Sequence, residues 1–265
     1  MTNHRLHNKT IVITGASGGL GEQIAYKCAK NGANLVLLAR NIEKLKVMKR
    51  NIVEKYSVRC SIQFLDVSSH EQIPGVFQNI REEVGNIDVL VNNAGYGVFE
   101  EAHSASMTDI KGMFDVNVVG LMACTKEVLT SMRTNKSGHI INIASQAGKM
   151  ATPKSSVYAA TKFAVIGYSN SIRMELSPYN VFVTTVNPGP IATNFFHVAD
   201  KSGTYAKSVE KFMLDPEKLA KNIVDSMLTK RREINAPGWM NVGSIFYTLF
   251  PRTVERLGRK AFFKK

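Results

Sequence analysis

Short apolar runs alternate with longer mixed segments through the first two thirds of the chain. The runs IVIT, LVLLA, VLVN and IINIA are almost unbroken, the pattern of strands covered on both faces rather than on one. Six strands are expected, at Thr10–Thr14, Asn34–Ala39, Ser61–Leu65, Val89–Asn92, Ile140–Ala144 and Phe182–Val186. Between them, apolar residues recur at helical spacing in Gly21–Asn31, Ile42–Tyr56 and Glu71–Val84. Strand–helix alternation needs right-handed crossovers, so the pattern predicts an α/β fold: a doubly wound, mostly or wholly parallel sheet with helices on both faces. No repeat, low-complexity tract or linker-like shift divides the 265 residues, and a single domain over residues 1–265 is expected.

Composition narrows the class. The formal net charge is +13, and from Lys201 onward there are fourteen Lys and Arg against six Asp and Glu. Such an excess favours acidic partners: phosphorylated cofactors, anionic lipid, acidic carrier proteins or nucleic acid. No nucleic-acid reader motif accompanies it, so no nucleic-acid partner is expected. Cys28, Cys60 and Cys124 are odd in number and scattered, which fits a reducing cytoplasm better than a disulfide framework. The histidines show no ligand spacing, so no metal site is expected. No apolar run is long enough to span a membrane, and the polar opening MTNHRLHNKT does not read as a secretory leader.

In open parallel sheets ligands bind beyond the carboxyl ends of the strands, and the chemistry-bearing residues follow the expected strands. After the first comes T-G-A-S-G-G-L-G, Thr14 to Gly21, opening a helix. Glycines there permit a tight turn and close backbone approach, and a helix N-terminus offers free N–H groups to a pyrophosphate. The second strand ends in Ala39 followed by Arg40. A carboxylate at that tip would bind the ribose hydroxyl of NAD; its absence, with a guanidinium beside it, favours the 2′-phosphate of NADP. Asp66-Val67 follow the third strand, and Asn-Asn-Ala-Gly, ending at Gly95, follows the fourth. Asn117 stands in an apolar helical stretch, where a buried amide is either a structural tie or a functional polar group. Ser145 follows IINIA, and Pro188-Gly189-Pro190 follows the sixth strand. In YAATK, Tyr158 and Lys162 lie four apart, on one helical face. A nearby cation lowers a phenol from about 10 by roughly 1–3 pH units, giving an acid–base suited to carbonyl reduction or alcohol oxidation.

The ordered set TGASGGLG, NNAG, Asn117, Ser145, YAATK and PGPIAT resembles the short-chain dehydrogenases/reductases, from about Lys9 to about Thr193. The resemblance implies a Rossmann fold and an NADP(H)-dependent oxidoreductase. It implies Tyr158 as general acid/base, Lys162 on the nicotinamide ribose and lowering the phenol, Ser145 on the substrate oxygen, and Asn117 anchoring a relay water. Gly15, Ser17, Gly19, Leu20 and Gly21 would take the pyrophosphate, and Asp66 and Val67 the adenine. Asn92, Ala94 and Gly95 would flank the ribose, and Pro188, Gly189, Ile191 and Thr193 the carboxamide. The family also implies a homodimer or homotetramer, formed through helices over about Ser106–Thr134 and Ser156–Ser177. Two alternatives stay open, a 3-oxoacyl-carrier-protein reductase and a non-catalytic NADP-binding or sensing protein.

Substrate choice falls on the variable parts. Residues 194–214 are expected to form a lid, with Phe195, Phe196 and Tyr205 as either an apolar wall or ordinary packing. Tyr96, Val98, Phe99, Gln146, Met150 and Ala151 are further candidates for the pocket, pointing to a hydrophobic carbonyl or alcohol. The tail, residues 239–265, is apolar over Ser244–Phe250. Beyond Pro251 it carries a Val254/Leu257/Ala261 stripe under Arg252, Arg256, Arg259 and Lys260, followed by Phe262 and Phe263. Packing on the pocket or on a second subunit is one reading; peripheral contact with an anionic membrane is the other.

Overall fold

The computed structural model describes residues 4–200 and 203–262. Seven strands, all parallel, form one sheet in the order β3-β2-β1-β4-β5-β6-β7. They are β1 Thr10–Thr14, β2 Asn34–Ala39, β3 Cys60–Phe64, β4 Val89–Asn92, β5 Gly138–Ile143, β6 Val181–Pro188 and β7 Glu233–Ala236. Every residue of β1, β2, β4 and β5 is buried, as their unbroken apolar runs require.

The two-residue strand period sorts the core into two layers. On one face Ile11, Ile13, Leu35, Leu37 and Val91 pack against Ile24 and Cys28 of α1 (Gly19–Lys30), Leu45 and Ile52 of α2 (Ile42–Tyr56), and the later α9 (Pro216–Ser226) through Leu219 and Ile223. On the other, Val12, Val36, Leu38, Leu90 and Ile140 meet Phe77 and Ile80 of α3 (Ile73–Val84), Val128 of α5 (Leu121–Thr134), and Ile172 of α6 (Ser156–Leu176). Each such side chain contributes about 2 kcal/mol by leaving water. The strand order reverses between β1 and β4, so a crevice opens above their carboxyl ends.

The expected strands are all present, with ends displaced by up to two residues at β3, β5 and β6. The first helix starts at Gly19, in the glycine turn itself. The third starts at Ile73, where Pro74 suits a first turn, behind a 3-10 turn at His70–Gln72. The stretch from 106 to 134 is broken: α4 (Met107–Phe114), capped by Ser106 accepting from Asp109 N at 3.0 Å, passes through a π-helical turn at Asp115–Gly120 before α5. The strand β7 is unforeseen. It carries one fully buried residue, Ile234, and reads too polar for a strand until β6 pairs with it from Thr185 to Pro188.

After β6 come α7 (Phe195–Ala199) and α8 (Thr204–Val209), then α9, β7, α10 (Gly238–Leu249) and α11 (Pro251–Phe262).

Candidate active site

The turn between β1 and α1 is shaped by backbone. Gly15 has φ +64° and Gly19 φ +58°, and a Cβ on Gly15 would lie 2.8 Å from Ala94 Cα. Asn93 Nδ2 donates to the carbonyls of Thr14 and Gly15, both at 3.0 Å, while Thr14 Oγ1 accepts from Asn93 N at 3.0 Å and Ala94 N at 3.1 Å. No side chain caps the N-terminus of α1. Its first-turn N–H groups are left for an anion.

This turn forms one end of a cleft of about 510 Å³. The cleft runs past Ala94 and Gly95 to Ser145, Tyr158 and Lys162, with Pro188, Gly189, Ile191 and Thr193 along one side. Ser145, at the end of β5, accepts from Ala147 N at 3.0 Å, donates to Pro188 O at 3.4 Å, and hydrogen-bonds the Tyr158 side chain. One turn along α6, Lys162 Nζ donates to Ile143 O at 2.9 Å and stands 5.7 Å from the centre of the Tyr158 ring.

Electrostatics here differ from the sequence expectation. Burial pushes the Tyr158 phenol up to about 12; the Ser145 hydrogen bond works downward, and neighbouring Tyr205 adds to the rise. Burial also brings the Lys162 ammonium down to about 8. The lysine sits against the ring and a carbonyl rather than at the phenolic oxygen, so within the protein desolvation outweighs it.

A protein-family model described as short chain dehydrogenase matches residues 9–202. The chain is a short-chain dehydrogenase/reductase. It is 34% identical over 237 residues to an NADP-dependent 3-hydroxy acid dehydrogenase of Schizosaccharomyces pombe, covering 87% of this chain and 90% of that protein. It is 32% identical over 222 residues to the 3-ketodihydrosphingosine reductase of Mus musculus, covering 81% and 67% respectively. Among solved structures, L-sorbose reductase of Gluconobacter frateurii, complexed with NADPH and L-sorbose, superposes with a TM-score of 0.79 at 27% identity, over 88% of this chain and 96% of that one. As a short-chain dehydrogenase/reductase the chain is an oxidoreductase of CH–OH and C=O groups that takes a nicotinamide cofactor.

The residues present fit such a cofactor. The glycine turn leaves room no Cβ could share, α1 presents uncapped N–H groups, and the cleft continues unbroken to the tyrosine. Most of the expected short-chain dehydrogenase site residues line it: Gly15, Ser17, Gly19, Leu20, Ala94, Gly95, Ser145, Tyr158, Lys162, Pro188, Gly189, Ile191 and Thr193.

Others have different places. Gly21 is buried in α1, where a Cβ would meet Gly15 O and Asn93 Nδ2 at 2.5 Å, so it allows the helix to close on the turn. Asn92 is buried and donates to Thr125 Oγ1 at 2.8 Å and Asn142 Oδ1 at 2.9 Å, tying β4 to its neighbours; its successor Asn93 borders the cleft. Asn117 accepts from Tyr96 N at 3.0 Å and donates to Tyr96 O at 2.8 Å and Thr161 Oγ1 at 3.1 Å. These bonds tie the π-helical turn to Tyr96 and to α6 at Thr161. Asp66 and Val67 lie beyond the cleft lining. Burial works against ionising Asp66, but Ser68's hydroxyl and N–H and the Arg40 guanidinium at 3.9 Å hold its carboxyl below the usual range. Arg40 itself is exposed and outside the lining, whereas Lys44, unforeseen, enters it from α2.

The aromatic residues settle on the wall reading. Phe195, Phe196 and Tyr205 line the cleft with Phe99, and Phe195 and Phe99 stand 5.7 and 5.8 Å from Tyr158 between ring centres. Met150 joins them, while Tyr96, Val98, Gln146 and Ala151 do not line it; Gln146 donates instead to Asn187 O at 2.9 Å. Thr152 and Met240 line the cleft without having been expected there. Met240 could not be foreseen without β7, which places α10.

Proposed function

We propose that this protein is an NADP(H)-dependent oxidoreductase of a hydrophobic carbonyl/alcohol pair, with Tyr158 as its general acid and base. The carrying observation is that Ser145, Tyr158 and Lys162 converge in the glycine-turn cleft, beneath a wall of aromatic rings. A bound nicotinamide dinucleotide supplies or accepts the hydride. Ser145 Oγ and Tyr158 Oη offer two hydroxyls to one substrate oxygen, where negative charge grows during reduction. Burial keeps the proton on Tyr158 at neutral pH, the state that reduction consumes when Oη gives it to that oxygen. Oxidation needs the opposite state, and Lys162 is the cation near enough to support it.

The NADP preference is supported by the tip of β2, which carries no carboxylate, and by Arg40 and Lys44 following it. It is also supported by the NADP named for the yeast relative and the NADPH in the sorbose reductase complex. Self-association belongs to the same reading, through the face where Met107, Val119, Phe163 and Met174 stand exposed.

Tyr158→Phe tests the mechanism. Turnover should fall ~10²–10⁴-fold, while NADPH binding, read by fluorescence titration, stays as in the parent; near-parental turnover removes Tyr158 from the chemistry. Arg40→Ala and Lys44→Ala should each weaken NADPH by about 1.5–3 kcal/mol and spare NADH. Equal losses for both nucleotides would take the 2′-phosphate away from these side chains.

A further inference from the structure

The helix α10 has two unlike sides. Met240 lines the cleft and Ser244 is buried, whereas Trp239, Val242, Ile245, Phe246, Leu249 and Phe250 are each more than half exposed. A helical period puts the first five on one side, and Phe250 directly follows the helix. Phe212 extends the patch, edge-on to Trp239 at 6.2 Å between ring centres and itself 58% exposed. A contiguous apolar surface of this kind marks an interaction site.

The adjoining helix α11 carries the charge. Val254 and Leu257 fall on one face, with Leu257 82% exposed, and Arg252, Arg256 and Arg259 on the other. The side chains of Lys260, Ala261 and Phe262, and all of Phe263, lie outside the described residues. From Trp239 to the last residue the sequence has six Lys and Arg and one acid, Glu255, which accepts a hydrogen bond from Tyr247 Oη at 3.3 Å.

We propose that α10 and α11 are a docking face for the surface of an anionic lipid bilayer. Trp239, Phe246, Leu249 and Phe250 enter the interface, and the arginines, on long apolar stems, reach the headgroups. A second copy of the chain is the poorer occupant, because it would bring another set of arginines with only Glu255 to offset them. Among the described residues no helix is long and apolar enough to cross a membrane, so the contact lies in the plane of the surface. The docking does not depend on which carbonyl is reduced.

Trp239 is the single tryptophan, which makes its emission a direct reporter. Full-length protein is titrated with vesicles of phosphatidylcholine alone and of equimolar phosphatidylcholine and phosphatidylglycerol. The emission should shift to the blue, and the protein float, only with the anionic vesicles. Phe246→Glu with Leu249→Glu should lower the bound fraction roughly tenfold, with the thermal midpoint unchanged since both residues are exposed. Arg252→Gln with Arg256→Gln should remove the preference for phosphatidylglycerol. Equal flotation of parent and Phe246/Leu249 variant overturns the proposal. So does a drop in sedimenting mass of that variant without vesicles, which makes the face an interface between copies. Neither readout uses turnover, so failure here leaves the reading of Tyr158 untouched.

Discussion

At the glycine turn the cleft is shaped by backbone, while at the far end it is shaped by side chains. Gly15 and Gly19 hold left-handed conformations, and Thr14, Asn93 and Ala94 lock the turn at Gly15 with hydrogen bonds of 3.0 to 3.1 Å. At the other end Phe99, Phe195, Phe196 and Tyr205 meet at ring separations between 5.4 and 6.4 Å. Two of those rings are on the five-residue α7 and one on the six-residue α8. A backbone-built end admits almost no substitution. A wall of rings on short helices can be altered while the sheet beneath it stays unchanged. Under the proposed function, holding the dinucleotide belongs to the first end and the choice of substrate to the second.

The sharpest way to break this contrast is a side chain in the backbone-built end. A Cβ at Gly21 would stand 2.5 Å from Gly15 O and Asn93 Nδ2, and neither partner can retreat without losing its own bonds. Gly21→Val should cost about 3 kcal/mol in denaturant unfolding and weaken NADPH as the turn opens. A parental midpoint would mean that the turn is softer than its hydrogen bonds indicate.

Phe195→Ala probes the other end and should leave stability nearly intact. For a bulky apolar ketone kcat/KM should drop by about 2 kcal/mol, roughly thirtyfold, with NADPH affinity unchanged. If a small polar ketone loses as much, the wall is positioning Tyr158 rather than reading substrate.

The same contrast explains what could be read from the sequence. Strands β1, β2 and β4 and the glycine turn are local: apolar runs and glycine spacing specify them within a few residues. Tyr158 and Lys162 are one helical turn apart, and Ser145 directly follows a strand, so their meeting needed only the sheet order. What escaped depends on distant partners. The strand β7 exists because β6 offers it an edge, and the site loop is bound to it by Lys149, which donates to Glu233 Oε2 at 2.6 Å and to Asn241 Oδ1 at 3.0 Å. Neither bond leaves a periodic trace. The phenol's upward shift was equally hidden, because i, i+4 spacing reports that Lys162 is near but not how far burial excludes water from both groups.

The remaining effect appears only in acid and lies away from the cleft, where β5 holds the segment leading into β7. His139, in β5, is fully buried; its Nδ1 accepts from Leu228 N at 2.8 Å, which leaves the proton on Nε2, 2.8 Å from Thr184 Oγ1. Thr184 in turn donates to Arg231 O, so one imidazole fastens the segment leading into β7 to the central sheet. Burial pushes this histidine down to about 3. In the unfolded chain the ring takes a proton near 6.5, while the folded protein refuses it until about 3. Between those values the unfolded state binds more protons, so stability falls as the pH falls, by at most about 1.4 kcal/mol per unit. Above 6.5 both states are neutral and the effect vanishes. His139→Gln lacks a titrating group; it should be weaker at neutral pH because Leu228 N and Thr184 lose their ring partner, yet lose less further stability between about pH 6.5 and about pH 4.5. Parallel acid profiles for the two proteins in denaturant unfolding would show that carboxylates, not this joint, control the response to acid.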